Sequence, residues 1–179
     1  MDFLQIIPAP FPLDAFCYND AMIFQSTSAE VTRAFARQVL SQVKPDSHRA
    51  TILALAGELG AGKTAFTQGL ASTLGIKSGV TSPTFVLSKK YKIAPARAEQ
   101  TGFKQLIHFD FYRLQSAEDL KALGWSDLLT EPSNLIVAEW PERVGQTLPK
   151  WAKTINFFHK SEDERIIKAP WLKSISNIS

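Results

Sequence analysis

Gly57-Glu58-Leu59-Gly60-Ala61-Gly62-Lys63-Thr64 is the stretch on which the reading of this chain turns. It fits the phosphate-loop pattern G-x-x-x-x-G-K-[ST], with Gly57, Gly62, Lys63 and Thr64 at the fixed positions. A loop that wraps a triphosphate must turn several backbone N–H groups inward, through φ/ψ values that glycine reaches without steric cost. A helix beginning where the loop ends adds its positive N-terminal dipole to those donors. In such a loop Lys63 reaches the β- and γ-phosphates and the Thr64 hydroxyl takes a position on Mg²⁺. The flanks agree with the pattern. Thr51 to Ala56 is an apolar run of strand length, and Phe66, Leu70 and Leu74 recur four apart behind the loop, with Gly75 as a C-terminal cap.

The chain has 179 residues, 45% of them hydrophobic, enough for one domain with a substantial core. Its net charge of +3 permits an acidic partner or RNA without arguing for one. Cys17 is the single cysteine, which excludes an internal disulfide and fits a reducing compartment. No apolar run approaches transmembrane length, and no Lys or Arg precedes Arg33, unlike a signal or transit peptide. The expectation is a cytoplasmic protein with no membrane partner.

Working outward toward the N-terminus, Pro8, Pro10 and Pro12 forbid a regular helix, so residues 1–20 read as an extended arm. Met22 to Ser26 reads as a strand. Thr27 and Glu30 make a capping box for a helix whose apolar face is Val31, Phe35, Val39 and Val43, stopped by Pro45. On the other side of the loop, Val80-Thr81-Ser82-Pro83-Thr84 places hydroxyls around a proline and runs into a β-type stretch, Phe85-Val86-Leu87. It is either a switch-like segment near the γ-phosphate or a turn feeding a strand. Lys89, Lys90, Lys92 and Arg97, with Pro95 and Gly102, read as a solvated hairpin end or loop.

Leu106 to Phe109 is strand-like, and Asp110 stands where that strand runs out, the end that faces the ligand crevice in an open α/β sheet. His108 within it reads as a hydrogen-bonded structural residue, with contact to the site as the lesser alternative. Ser116 and Asp119 resemble a cap for a short helix through Leu120 and Leu123, ended by Gly124. Leu135 to Ala138 is the continuous apolar run of a strand buried on both faces, and it ends in Glu139. A carboxylate there fits an acid that holds Mg²⁺ directly or through water; the alternative is a strand end whose acid pairs with Arg143. Thr154 to Phe158 and Arg165 to Lys168 read as terminal strands, and the tail after Pro170, rich in serine beyond Trp171, reads as a disordered segment. Together these elements predict a three-layer α/β P-loop fold with a mostly parallel central sheet; the P-loop ATPase domain is expected over residues 21–160, and a C-terminal strand and tail over 161–179. No Asn-Lys-x-Asp guanine signature and no Leu-Ser-Gly-Gly-Gln signature occurs. A small-molecule kinase and a nucleotide-gated binding module without turnover stay open beside an ATPase.

The phosphate loop, then Ser82-Pro83-Thr84-Phe85, then His108-Phe109-Asp110-Phe111-Tyr112-Arg113-Leu114, then Glu139-Trp140-Pro141-Glu142-Arg143, in this order and spacing, closely resemble the TsaE (YjeE) family over about residues 23–158. The resemblance implies a P-loop ATPase needed for threonylcarbamoyladenosine in tRNAs that read codons starting with A. It implies work with the TsaB–TsaD heterodimer, reset by ATP hydrolysis, and only indirect contact with tRNA. It also implies nucleotide contacts at Glu58, Leu59, Gly60, Ala61, Gly62, Lys63, Thr64, Ala65, Ser82, Thr84 and Trp140. Catalytic roles fall to Lys63, Asp110 and Glu139, and metal contacts to Thr64 and Glu139. The arm, the loop from Ile93 to Gly102 and the tail look longer than in a minimal member, which leaves docking and weak self-association open.

Overall fold

The computed structural model describes residues 15–18, 21–114 and 117–173. In chain order its elements are β1 (Ala15–Tyr18), β2 (Ala21–Ser26), α1 (Ala29–Gln42), β3 (Thr51–Gly57), α2 (Lys63–Thr73), β4 (Ser88–Lys92), α3 (Pro95–Thr101), β5 (Gln105–Asp110), α4 (Ala117–Ala122), α5 (Trp125–Leu129), β6 (Asn134–Glu139), β7 (Lys153–His159) and β8 (Arg165–Ala169). The strands form one sheet in the order β1-β2-β8-β7-β3-β6-β5-β4. The expected parallel core is its centre, where β7, β3, β6 and β5 run parallel. Antiparallel strands extend it on both sides, so the sheet as a whole is mixed.

Alternation along the central strands builds two cores and hence three layers. Leu53, Leu55, Leu135, Val137 and Leu106 face α1 and α2, meeting Phe35, Phe66 and Leu70. Ile52, Ile136, Ala138, Ile107 and Phe109 face the other way, against Leu120 of α4 and Trp125 of α5. Aromatic rings tie the first layer together: Phe24 stacks on Phe35 at 4.3 Å, and Phe66 meets Phe157 edge-on at 5.6 Å. None of the helices of the described residues is long and apolar enough to cross a membrane.

Several expectations are corrected here. The cap of α1 is Ser28, whose Oγ accepts from the Val31 N–H at 3.2 Å, not Thr27. Phe85-Val86-Leu87 is no strand: Phe85 is 84% exposed, Leu87 has φ 63°, and pairing starts only at Ser88. The lysines expected in a loop lie on β4, a polar edge strand that buries Tyr91, and lysine on such an edge discourages pairing with another chain. The segment around Arg97 is helix α3, with Pro95 in its first turn and Gly102 as its left-handed C-cap. Gly124 ends one helix and opens α5, which the sequence reading lacked. Strand β8 inserts between β2 and β7, and beyond it Leu172 is buried while the Trp171 ring N–H donates to the Thr154 carbonyl at 2.9 Å. Within the predicted arm, residues 15–18 form β1 on β2; its remainder, the Ser116 cap and residues 174–179 lie outside the described residues.

Candidate functional site

Strand β3 feeds the glycine loop, and α2 starts at its end with Gly62 as N-cap at φ 102°. Gly57 has φ 144° and lies so close to β7 that a Cβ there would stand 2.3 Å from the Phe157 carbonyl oxygen. Two residues of the β7–β8 hairpin brace the loop from outside. The His159 Nε2 hydrogen donates to the Leu59 carbonyl at 3.0 Å, and Arg165 Nε donates to that of Gly60 at 3.3 Å. Arg165 Nη1 also donates to the Ser161, Glu162 and Glu164 carbonyls, which ties the hairpin turn to the loop. Sequence reasoning missed both, because each contact spans a hundred residues or more.

Lys63 is 5% exposed; its ammonium donates to the Gly57 and Glu58 carbonyls at 2.6 and 2.8 Å and lies 3.9 Å from the centre of the Trp140 ring. Burial holds the Lys63 ammonium below the usual lysine range, and the Glu139, Glu142 and Asp110 carboxylates oppose that shift. Trp140 itself has φ 60° and ψ 50°, a backbone region that bulky residues rarely occupy. It is held there by its N–H to the Leu55 carbonyl at 3.2 Å and its carbonyl to the Arg143 N–H at 3.0 Å. Its ring meets that of Tyr112 at 5.0 Å.

The two acids end neighbouring parallel strands in register, Asp110 beside Glu139, and both are 3% exposed. Alternation puts them on the α2 side of the sheet. Glu139 accepts from the Thr64 hydroxyl, whose oxygen stands 3.2 and 3.4 Å from its two oxygens, and its Oε1 lies 2.8 Å from His108 Nε2. Arg143 does not pair with Glu139; its guanidinium lies over the Tyr112 ring at 5.4 Å. Asp110 takes a separate set of partners. Its Oδ2 accepts from the Ser82 hydroxyl and, at 2.5 Å, from that of Thr84, while Oδ1 accepts from the Tyr112 N–H at 3.0 Å. The segment after α2 is thereby fastened to the end of β5.

These groups line a cleft of about 420 Å³. Of the residues expected there, Leu59, Gly60, Gly62, Lys63, Thr64, Ala65, Ser82, Thr84, Asp110, Glu139 and Trp140 line it. Glu58 contributes its carbonyl to Lys63 and to the Ala61 N–H, and Ala61 is buried behind the loop. Ala29, at the start of α1, and Tyr112 complete the wall without having been foreseen. The donor set fits Mg²⁺: a hydroxyl and a carboxylate, hard oxygens at the end of a phosphate loop. Among the described residues no group of three or more His, Cys, Asp and Glu could hold a metal. Mg²⁺ needs no such cage, since it keeps waters and substrate phosphates in its shell.

A strand running into a glycine loop and then a helix, at the carboxyl edge of a parallel core, is the architecture of the P-loop class of α/β proteins. Within that class, the family model for the threonylcarbamoyl adenosine biosynthesis protein TsaE matches residues 26–167. The tRNA threonylcarbamoyladenosine biosynthesis protein TsaE of Bacillus subtilis is 33% identical over 144 residues, covering 80% of this chain and 82% of its own. Its counterpart in Treponema pallidum is 40% identical over 106 residues, 59% of this chain and 71% of its own. The crystal structure of Bacillus subtilis YdiB superposes with a TM-score of 0.64 at 28% identity, covering 84% of this chain and 86% of that one. The chain belongs to the TsaE family of tRNA threonylcarbamoyladenosine biosynthesis proteins.

Proposed function

We propose that this protein binds ATP with Mg²⁺ and hydrolyses it in the service of threonylcarbamoyladenosine formation on tRNAs that read codons starting with A. In this reading it acts on the TsaB–TsaD heterodimer in the cytoplasm, and hydrolysis resets that complex between turnovers. The observation that carries the proposal is the Thr64 hydroxyl held against the Glu139 carboxylate at the end of the glycine loop, with Asp110 one strand away.

The roles follow from the geometry. Lys63 exchanges its two loop carbonyls for β- and γ-phosphate oxygens, and the loop amides with the α2 dipole neutralise the remaining charge. Thr64 and Glu139 would hold the cation, and the chemistry it would supply there is Lewis-acid withdrawal of charge from phosphate oxygens. Asp110 orients water once one of its hydroxyl partners, Ser82 or Thr84, releases it. Lys63 is the one cation among the described residues that line the cleft, and Arg113 and Arg143 rest on the rings of Phe85 and Tyr112. A P-loop site without an arginine finger is slow, and a finger supplied by a partner adds about 10³–10⁵ in rate. Turnover is therefore weak for the chain alone and rises in the full assembly.

The test is phosphate release from ATP by the chain alone, and with TsaB, TsaD and tRNA. Slow release that increases with the partners, disappears in Lys63→Ala together with binding, and disappears in Glu139→Ala with weakened binding retained is the expected result. Binding without release under any condition turns the reading to a nucleotide-gated module. Transfer of phosphate to an added acceptor turns it to a kinase.

A further inference from the structure

We propose that His108 is a positioning residue for Glu139, pinning Oε1 and so fixing a carboxylate whose Oε2 is left with the Thr64 hydroxyl as its one hydrogen-bond contact among the described residues. The inference rests on the Mg²⁺ reading of that pair. His108 is completely buried on β5, on the sheet face shared with Asp110, and its Nε2 lies 2.8 Å from Glu139 Oε1. Its Nδ1 makes no hydrogen bond to any described residue. An ionised carboxylate only accepts, so the pair is satisfied when Nε2 carries the hydrogen and Nδ1 keeps a bare lone pair. The other tautomer sets a bare Nε2 against a carboxylate oxygen and leaves the Nδ1 hydrogen buried without an acceptor, which carries the desolvation penalty of an unmade bond.

The two contacts on Glu139 are unequal. The Thr64 hydroxyl is shared between both oxygens at 3.2 and 3.4 Å, both longer than the histidine contact to Oε1. His108 therefore fixes the orientation of the carboxylate, and Oε2 is the oxygen whose lone pairs are least engaged. A histidine that merely filled the core would have no need of this aim; Leu106 and Phe109 fill theirs with no polar atom to satisfy. Partners that hold a metal-binding carboxylate in place typically contribute about 10–100-fold in metal affinity.

The experiment titrates Mg²⁺ into a fluorescent ATP analogue bound to wild type, His108→Leu and His108→Gln, with a parallel measurement of binding in EDTA. His108→Leu should raise the Mg²⁺ concentration needed by about 10–100-fold and leave binding in EDTA unchanged. His108→Gln, whose amide hydrogen reaches toward the position of Nε2, should recover most of the loss. In the metal-free wild-type protein, the imidazole ¹⁵N spectrum of His108 should report hydrogen on Nε2. Unchanged Mg²⁺ dependence in His108→Leu, equal losses with and without the cation, or a Gln variant no better than Leu would overturn the proposal. Should His108→Leu fail to fold, the Gln variant and the ring spectrum decide, and an Nε2 without hydrogen overturns it. A wild-type protein whose nucleotide binding ignores Mg²⁺ removes the magnesium reading as well, which separates that failure from failure of the histidine assignment.

Discussion

Replacing Gly57 with alanine separates the two things a phosphate loop asks of its first glycine. At φ 144° an L-residue is strained, and the added Cβ would meet the Phe157 carbonyl oxygen at 2.3 Å and its carbonyl carbon at 3.1 Å. Those atoms belong to β7, which is paired with β3 at this very register, so they cannot retreat without moving a central strand. Left-handed strain is worth about 1–2 kcal/mol. Crowding a rigid neighbour adds about 1–3 kcal/mol. Gly57→Ala should therefore destabilise by about 2–5 kcal/mol, and at about 2–4 °C per kcal/mol for a chain of this size Tm should fall by roughly 10 °C. Gly60→Ala is the control from the same loop. There φ is 75° and the nearest atom to a Cβ is His159 Cε1 at 3.8 Å, so strain acts without the clash. Its cost is about 1–2 kcal/mol. Thermal unfolding followed by circular dichroism measures both, and a fluorescent ATP analogue reports whether the loop still binds. Equal Tm shifts for the two variants would refute the close approach of Gly57 to β7 as the cause.

Asp110→Asn weakens the fastening of the Ser82–Thr84 segment, because bonds of about 1.5–3 kcal/mol to a charged acceptor become neutral ones of about 0.5–1.5. Chymotrypsin should then cut faster after Phe85, which is already 84% exposed, while the far-ultraviolet spectrum stays unchanged; cleavage at the wild-type rate would show that Asp110 does not hold the segment. Leu172→Ala tests whether the chain beyond β8 belongs to the core. Leu172 is 1% exposed within the α1–α2 cluster, so the variant should lose about 2–5 kcal/mol in denaturant unfolding. An unfolding midpoint equal to wild type would return that residue to a loose tail.

The elements that were legible are those whose signal is local. Strands β3, β5 and β6 announce themselves as apolar runs, and α2 by its four-residue spacing, because each is buried on the faces its sequence advertises. Strand β4 was hidden because an edge strand with polar faces carries one buried side chain, Tyr91, and otherwise looks like a basic loop. Helix α3 had a usable signal, Pro95 in the first turn and Gly102 after the end, which the charges around it outweighed. Phe85-Val86-Leu87 failed for the opposite reason. Its β-type composition is real, but Leu87 adopts a positive φ and Phe85 and Val86 stay on the surface.

The site follows the same division between local signal and distant pairing. Each acid was placed at the end of an apolar run, which any single strand can say for itself. What joins them is the parallel register of β5 on β6, which sets Asp110 level with Glu139 and gives both the parity that faces α2. That parity also carries His108, two residues before Asp110, to the same face, and the next strand brings Glu139 within hydrogen-bond reach of it. A lone histidine in a strand reads as structural until the neighbouring strand is in register, because its partner is 31 residues away, as the Thr64 partner of the same carboxylate is 75 away. The two acids consequently take different company: Glu139 is held by Thr64 and His108, and Asp110 by the Ser82 and Thr84 hydroxyls of a loop that is also tied to the sheet by the Asp110 N–H on the Leu87 carbonyl at 3.0 Å and by Lys89 Nζ on the Thr81 hydroxyl at 2.9 Å. Partners on a strand and a helix around one carboxylate, and on a loop around the other, suit the proposed division into a fixed metal-side acid and a water-side acid that acts only when its segment moves.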